Sequence, residues 1–218
     1  MGRITRIQKI LAVLEQTYPD AHCELNFRNP FELLIATILS AQTTDQRVNE
    51  VTAGLFQQYP TPERFLTMTE EELAEKIRGI GLFRNKSRHI LQTCRLLVEQ
   101  YDGQVPTDRD ALESLPGVGR KTANVVLSNA FGIPAIAVDT HVFRVANRLG
   151  LANSDNVRET EEQLMRRIPK SKWSQAHHWL IWHGRRICHA RNPRCEQCPL
   201  LALCPYGGQR MKNGGSKQ

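Results

Sequence analysis

The chain has 218 residues, 40% of them hydrophobic, which is enough for one large or two small domains with real cores. Its net charge of +7 favours a polyanionic partner, although ribosomal and membrane-surface proteins share this bias. The first nine residues lack the apolar core of a signal peptide, and the longest apolar run, 31–39, is too short to span a bilayer, so we expect a soluble, intracellular protein.

Helical signals follow one another through the first half of the chain. Asn29-Pro30 caps a buried helix that runs through Leu39, and Thr69-Glu70-Glu71-Glu72 is a capping box before a helix that ends at Gly79. No stretch alternates like a strand, and the only low-complexity block is the Gly-rich, polar tail after Tyr206. The sequence therefore predicts an all-α protein. Other predicted helices in this half lie at 7–14, from 43 or 44 to 55, near 62, and at 87–101 and 107–115.

A tight turn is predicted at 115–119, where the sequence is Leu-Pro-Gly-Val-Gly. Pro116 does not extend a helix easily, and Gly117 and Gly119 permit backbone conformations that other residues resist. The next stretch, 120–131, is good helix material. Free N–H groups at the start of that helix, together with its positive dipole end, form a site for a phosphate. Such a site recognises the nucleic-acid backbone and not its sequence.

Two cations occupy the first turn of this predicted helix. The helix dipole favours acids there, so Arg120 and Lys121 break a local rule, and such a break often marks function. The Lys121 amine is a candidate nucleophile once it is deprotonated. The alternative is that both residues are ordinary phosphate contacts.

Asp139 precedes the next predicted helix, which runs to Leu149. An aspartate between an apolar stretch and an amphipathic run is a typical N-cap, and capping would keep the carboxylate ionised. The helix at 120–131 rises about 18 Å, and the seven residues 132–138 can run back roughly 23 Å if extended. We therefore expect Asp139 to return beside Lys121. Further helices are predicted at about 155–168 and 174–187.

Four cysteines form a C-x6-C-x2-C-x5-C array near the C-terminus, with prolines that keep the intervening loops out of helix. Thiolates at this spacing indicate a metal centre, either tetrahedral zinc or a [4Fe-4S] cluster, and the spacing alone does not choose between them. Cys23 and Cys94 lie outside the array and are interpreted as small buried residues. The array consists of Cys188, Cys195, Cys198 and Cys204.

The helix that leads into the array is rich in histidine and tryptophan. His177, His178 and His183 are interpreted as core residues around the cysteine loop, because the thiolates already supply metal ligands. Four arginines surround the loop and form either a solvated face or a set of phosphate contacts. They are Arg185, Arg186, Arg191 and Arg194.

Three motifs in this order carry a resemblance to a known family. The run 115–123 (LPGVGRKTA), then Val138-Asp139-Thr140-His141, then the four-cysteine loop resemble the endonuclease III group of helix-hairpin-helix DNA glycosylases. The runs 29–34 (NPFELL) and 40–45 (SAQTTD) resemble it too, so the similarity covers essentially the whole chain.

The resemblance implies two helical domains that flank a DNA-binding cleft. One is a six-helix barrel at 23–134 that contains the helix-hairpin-helix at about 107–131, and the other combines 1–22 with 135–218. Lys121 and Asp139 would face each other at the mouth of the cleft. The loop at 188–204 would hold a [4Fe-4S] cluster, with Cys188, Cys195, Cys198 and Cys204 as its ligands.

The resemblance also implies the reaction and the DNA contacts. Lys121 would attack the sugar, form an imine and cut the strand by β-elimination with help from Asp139, as in a bifunctional glycosylase and abasic-site lyase for damaged pyrimidines in duplex DNA. Gln42 would fill the gap left by the flipped nucleotide, and Leu82 would wedge between neighbouring bases. We expect a monomer in the cytoplasm, associated with the nucleoid in a bacterium. The remaining DNA-binding candidates are Gly117, Val118, Gly119, Arg120 and His141.

Several alternatives stay open at this point. Leu82 in isolation resembles a buried loop leucine, Gln42 a turn or capping contact, and His141 a backbone hydrogen-bond partner. A related enzyme with another base specificity, for mismatched or deaminated bases, fits the same motifs. A nonenzymatic helix-hairpin-helix module would also bind DNA backbone, although a lysine paired with Asp139 argues against it.

Overall fold

Every regular element in the computed structural model, which describes residues 4–214, is a helix. The prediction of an all-α protein is therefore confirmed over these residues. Contacts divide the chain into two units, one made of 23–133 and the other of 1–22 with 134–218. We propose these two units as the domains. Their boundary lies one residue before the boundary expected from the sequence. Positions 1–3 and 215–218 of the expected domains lie outside the described residues. No helix within 4–214 is long and apolar enough to cross a membrane.

The unit at 23–133 is built around one buried helix. All residues of α2 except its first, Pro30, are buried, and the helix packs against α3, α6 and α8. Phe31 meets Phe65 edge to face at 5.3 Å, which extends this core toward α4. The helices of the unit are α2 (Pro30–Leu39), α3 (Asp45–Gln58), α4 (Pro62–Phe65), α5 (Glu70–Lys76), α6 (Phe83–Tyr101), α7 (Arg109–Glu113) and α8 (Arg120–Phe131).

Side-chain caps set most helix starts in this unit. Asn29 accepts from the Glu32 amide at the start of α2, and Thr69 and Glu72 form the predicted capping box at the start of α5. The starts of α3, α4 and α7 are capped in the same way by Thr44, Thr61 and Asp108. The starts of α2, α3, α4 and α5 were predictable because a short polar residue lies directly before each helix.

Several helices differ from their predicted bounds by up to four residues; α5, for example, ends at Lys76 and not at Gly79. The helix expected from Ser87 begins four residues earlier, at Phe83. Its N-cap residue is Leu82, whose apolar side chain cannot accept a hydrogen bond, so the sequence carries no capping signal at this start. The helix expected at 107–115 is only one turn, Arg109–Glu113, because Asp108 caps it late and the Pro116 turn follows closely.

The second unit joins the two ends of the chain. Its helix α11 packs against α9 and α1, and Leu14, Val145 and Trp179 are buried in their shared core. Arg6 ties α1 to the far end of the sequence by donating to the carbonyls of Leu149 (2.8 Å) and Leu203 (2.9 Å). The elements are α1 (Arg6–Thr17), α9 (Thr140–Arg148), α10 (Val157–Arg167), α11 (Trp173–Arg186), α12 (Pro205–Gly214) and 3-10 turns at Lys170–Lys172, Cys195–Gln197 and Leu201–Leu203.

The segment after Tyr206 forms a helix, although its composition indicates only a polar tail. Pro205 starts α12, and the Gly208 amide donates to the Cys204 carbonyl at 3.0 Å. The Arg148 guanidinium lies 4.3 Å from the centre of the Tyr206 ring and holds the first turn on α9. Tertiary contacts therefore stabilise a helix that Gly207 and Gly208 disfavour locally.

Candidate functional site

The turn between α7 and α8 presents backbone at its surface. Leu115 and Val118 are buried and anchor the turn, and the Val118 amide donates to the Leu115 carbonyl at 3.0 Å. Gly117 has φ of +78°, a conformation that favours glycine, and it lies against His89. The hydroxyl of Thr93 donates to the Pro116 carbonyl at 2.9 Å. These contacts fix the loop while leaving Gly117 and Gly119 exposed.

Gly119 serves a different purpose from the one expected. It is the N-cap of α8 with φ of −99° and ψ of 177°, an extended conformation that any residue adopts, so the prediction of unusual backbone at this position is wrong. A Cβ placed on Gly119 would meet no atom within 4 Å. No side chain caps α8. The amides of the first turn of α8 therefore have no side-chain cap, and the space beside Gly119 is open, which suits an anion.

Lys121 lies in the first turn of α8 and is exposed. Its amine makes no hydrogen bond or ion pair with any other residue of the unit at 23–133. Its neighbour Arg120 points back toward α7, where its guanidinium lies 3.8 Å from the Glu113 carboxylate. This partly exposed pair is too long and too solvated to contribute much stability. The lysine is thus free to meet a ligand, while the arginine lies beside the turn.

Gln42 and Leu82 lie on two loops of the same unit that touch each other. The Gly81 amide donates to the Thr43 hydroxyl at 3.1 Å, and a Cβ on Gly81 would lie 3.2 Å from the Gln42 carbonyl. Gln42 is exposed, and Leu82 is 57% exposed. The interpretation of Leu82 as a buried loop leucine is therefore wrong. Both residues adopt a left-handed backbone, with φ of +59° and +58°.

Asp139 caps α9 in the other unit, as its position in the sequence predicts. Its Oδ1 accepts a hydrogen bond of 2.7 Å from the Val142 amide. This bond fixes one carboxylate oxygen at the start of a helix, where the dipole favours negative charge. The half-buried carboxylate is therefore both a cap and a fixed negative charge.

His141 sits one residue into α9 and is packed within its unit. Its Cβ would lie 3.0 Å from a Cβ built on Gly184, and its Nδ1 is 3.1 Å from the Arg144 guanidinium. Burial lowers the pKa of His141, Asp139 raises it, and Arg144 and Arg185 lower it further. These contacts hold the ring against α11, and a DNA contact by His141 stays a prediction.

The four cysteines of the array line one cavity. Its wall also contains Leu149, His183 and Tyr206, so the cavity lies under the ends of α9 and α11 and the first turn of α12. No group of His, Cys, Asp or Glu side chains within residues 4–214 is arranged to hold a single metal ion. The four sulfurs lie around the wall of the cavity, at Cys188, Cys195, Cys198 and Cys204.

The chemistry of this cavity fits a multi-iron cluster. Burial raises the pKa of the Cys198 thiol to about 11, and the charges of the three other thiolates raise it as well. Burial also raises the pKa of Cys204. A bound cationic centre would favour the thiolate form that burial disfavours, and four cysteines around one cavity can ligate the irons of a cluster. His183 supports the site: its Nδ1 is 3.0 Å from the Tyr18 hydroxyl and its Nε2 is 3.6 Å from the Cys198 sulfur.

Comparison with known proteins agrees with these features. Residues 35–170 match the model of the HhH-GPD superfamily of base excision DNA repair proteins, and 188–204 match the iron-sulfur binding domain of endonuclease III. Endonuclease III of Bacillus subtilis (strain 168) is 53% identical over 215 residues, which cover 98% of each chain. That of Escherichia coli (strain K12) is 51% identical over 206 residues, or 94% of this chain and 97% of the relative. The chain belongs to the endonuclease III family.

Solved structures of endonuclease III and of another DNA glycosylase have the same fold. A trapped covalent intermediate of endonuclease III with DNA, with an estranged adenine, is 55% identical with a TM-score of 0.91, covering 97% of this chain and 100% of that one. A thermostable thymine-DNA glycosylase is 27% identical with a TM-score of 0.85, covering 94% and 97%.

Membership of the endonuclease III family confirms several predictions. The chain is a base excision repair DNA glycosylase of a family with abasic-site lyase activity, its partner is DNA, and its cofactor is a [4Fe-4S] cluster. The structure brings Gln42 close to the loop of Leu82 and gathers the four cysteines. Lys121 lies in the unit at 23–133, and Asp139 lies in the other.

Sequence reasoning overlooked one residue beside these loops. Lys86 is 5% exposed, and its ammonium donates to two backbone carbonyls before Gln42. A signal was present, because Lys86 is four residues before Ile90 and eight before Cys94, so it shares the buried face of α6.

Proposed function

We propose that the protein is a bifunctional glycosylase and abasic-site lyase that removes oxidised or otherwise damaged pyrimidines from duplex DNA. The observation that carries the proposal is Lys121, an exposed amine without a partner in its unit, in the first turn of an uncapped helix. The enzyme acts as a monomer in the cytoplasm, at the nucleoid of a bacterium.

The first step is attachment to the DNA backbone. The turn at Gly117, Val118 and Gly119 brings its backbone to a phosphate; the Val118 amide is held by the Leu115 carbonyl, so the amides offered are those at the start of α8, where the helix dipole favours the negative charge. Arg120 adds a cation beside it. Because these contacts involve backbone only, they hold the duplex at any sequence. The base itself must be recognised elsewhere.

The second step exposes the damaged nucleotide. Damaged bases stack and pair weakly, so one can be flipped out for a few kcal/mol. Leu82, an exposed apolar side chain at a loop tip, enters between neighbouring bases as a wedge. Gln42 fills the gap that the flipped nucleotide leaves, and its amide hydrogen-bonds to the unpaired base. His141 contacts DNA from the start of α9.

The third step is chemical. The neutral Lys121 amine attacks C1' of the sugar, the bond from C1' to the base breaks, and the base leaves with the electron pair. The Asp139 carboxylate stabilises the positive charge that develops on the sugar and is a proton acceptor for the lysine ammonium. Ring opening leaves an imine between Lys121 and the sugar. The imine acidifies the 2' hydrogens, and loss of one of them expels the 3' phosphate by β-elimination.

The cysteine loop has a supporting role in this scheme. Cys188, Cys195, Cys198 and Cys204 hold the [4Fe-4S] cluster, which cross-links the loop when bound. Arg191 and Arg194 are exposed on the loop and contact phosphates, so each adds to the salt dependence of binding. Arg186 stacks on Trp182, with its guanidinium 3.8 Å from the ring centre, and this contact favours a packing role for that residue.

Borohydride trapping tests the proposal. The purified protein is incubated with duplexes that carry one thymine glycol, one uracil or one abasic site, and borohydride reduces any imine to a stable adduct. We expect adducts on thymine glycol and on abasic DNA that disappear in Lys121→Ala. Lys76→Ala is the matched control, because Lys76 is an exposed lysine of the same unit.

Other outcomes would change the assignment. Trapping on abasic DNA alone would keep the lyase but contradict the pyrimidine specificity. Excision of uracil would favour a specificity for deaminated or mismatched bases, toward which the 27% identical thymine-DNA glycosylase also points. Adducts that persist in Lys121→Ala would contradict the nucleophile.

A further inference from the structure

Lys86 is a buried cation near the proposed DNA-inserting loops. It lies one turn after Leu82 in α6, and its backbone amide donates to the Leu82 carbonyl at 3.0 Å. Burying an ammonium is costly, and a lysine on a core-facing position is seldom kept for stability alone. No step of the proposed reaction uses this residue.

The ammonium of Lys86 reaches across to the other loop. It donates to the carbonyl of Leu39, the last residue of α2, at 2.8 Å, and to that of Ala41 at 2.5 Å. Ala41 directly precedes Gln42. Within residues 4–214 the ammonium has no carboxylate partner, and burial lowers the pKa of Lys86 to about 8. The two carbonyls are therefore the groups that this charge serves.

A second link lies on the other side of Gln42. The Gly81 amide, one residue before Leu82, donates to the hydroxyl of Thr43. Gln42 is thus bracketed by two hydrogen-bonded links to the α6 loop, one through Lys86 and one through Thr43. Each of the two links connects the loop of Gln42 to the loop of Leu82, so the two loops are held together.

Both loop tips carry backbone strain. Gln42 and Leu82 have φ near +60°, a region that side chains other than glycine adopt only at a cost. Such a conformation persists only where the surrounding structure holds it. The links through Lys86 and Thr43 join the two loops directly beside these residues, and the Thr43 amide also closes the turn around Gln42 by donating to the Ser40 carbonyl at 3.1 Å.

We propose that Lys86 is a positioning residue that holds Gln42 and Leu82 in the conformation that enters the duplex. The proposal rests on the DNA roles given above to Gln42 and Leu82. It assigns a buried lysine to the insertion step and not to the chemistry at the sugar.

The insertion step is measured with a duplex that contains a tetrahydrofuran abasic analogue opposite 2-aminopurine. The fluorescence of 2-aminopurine rises when the base loses its stacking, so the rise at saturating holoenzyme reports entry of the two side chains. Lys86→Met replaces the cation with an apolar chain of similar length, and Ile90→Val is a control in the buried face of the same helix. Excision of thymine glycol and the melting temperature are measured beside it.

We expect Lys86→Met to lose most of the fluorescence rise and to excise thymine glycol about tenfold more slowly, while Ile90→Val retains both. A double variant, Gln42→Ala with Leu82→Ala, should lose the rise as well. Adding Lys86→Met to that double variant should cause little further loss, because a residue that acts through the loops has no effect once the loop side chains are gone. If Lys86→Met does not fold, Lys86→Gln keeps a hydrogen-bond donor and replaces it in the same cycle.

Three results would overturn the proposal. Lys86→Met behaving like Ile90→Val would show that the loops do not need it. A loss that adds fully to that of the loop variant would indicate a role outside insertion. An unchanged rise in the loop variant itself would contradict the DNA roles of Gln42 and Leu82, and borohydride trapping on Lys121 would still report separately on the proposed chemistry.

Discussion

The starts of α8 and α9 differ in how they treat their backbone amides. At α9 the Asp139 carboxylate accepts the Val142 amide at 2.7 Å, so the chain satisfies its own helix. At α8 the N-cap is Gly119, and no side chain caps it. A capped start fixes the charge it carries, while an uncapped start leaves amides for a ligand. The two proposed catalytic residues thus lie at helix starts of opposite kinds. We call the capped start of α9, at Asp139, the closed start and the uncapped start of α8, beside Lys121, the open start.

Among all the variants, Lys121→Ala, at the open start, should have the largest effect on activity. We expect single-turnover excision and strand cutting to fall by at least about 10³-fold, because the nucleophile is lost. The melting temperature should not change, since the exposed amine has no partner within its unit. A large loss of stability would show that the lysine is structural, and residual cutting near the wild-type rate would contradict its role.

Asp139→Asn and Asp139→Ala separate charge from capping on the closed start. Asparagine still accepts from the Val142 amide, so Asp139→Asn should keep the stability but slow excision about 10²-fold through loss of the negative charge. Asp139→Ala should lose the rate and also about 1 kcal/mol of unfolding free energy. Denaturant unfolding and single-turnover kinetics measure the two quantities. Equal stability of both variants would disprove the capping contribution.

Gly119→Ala and Gly117→Ala test whether the open start serves a ligand. A methyl group at Gly119 meets no atom of the protein, so folding should be unaffected while DNA binding weakens about tenfold, or about 1.4 kcal/mol. Gly117→Ala should instead destabilise the unit by about 1 to 2 kcal/mol, because φ is +78° and the methyl would crowd His89. Fluorescence anisotropy with an abasic-analogue duplex and thermal melting distinguish them. Normal affinity of Gly119→Ala would remove the argument for an anion site there.

His141→Gln should have the smallest effect, a change in how folding stability depends on pH at the closed start. Because the pKa of His141 is lowered in the folded state, the unfolded state binds the proton first as the pH falls below about 6.5, and folding stability drops. Asp139 opposes this shift, while Arg144 and Arg185 enhance it. The stability lost between pH 7 and pH 5 should therefore be smaller in His141→Gln than in the wild type. An equal loss in both proteins would contradict the buried, neutral histidine.

Local sequence was sufficient where a residue determines its own neighbourhood. Asn29, Thr69 and Asp139 cap helices in the structure as predicted, because capping depends on a few adjacent atoms. The grouping of the four cysteines was likewise predictable, since their spacing keeps all four side chains in one loop, where they line one cavity. The all-α class followed from helical periodicity throughout.

The burial and conformation of residues that depend on contacts distant in sequence could not be predicted from the sequence. Leu82 is 57% exposed in a strained backbone because other residues hold its loop, and nothing in its immediate sequence indicates this. Lys86 is buried because α2 ends opposite it. The helix after Tyr206 forms because Arg148, 58 positions earlier, packs on that ring. In each case tertiary contact overrides a local preference.

The joining of α1 to the C-terminal helices affects how the chain is made. The Tyr18 hydroxyl is hydrogen-bonded to His183, which is 165 positions later in the sequence, and the whole unit at 23–133 is synthesised between these two residues. On the ribosome the intervening unit can fold as soon as it emerges, whereas the N-terminal helix must wait for the last segment of the chain. If Cys204 is a cluster ligand as proposed, the cluster can be completed only after this residue has left the ribosome. A stalled or truncated nascent chain would therefore carry a folded unit at 23–133, with the proposed DNA-binding turn, beside an incomplete second unit.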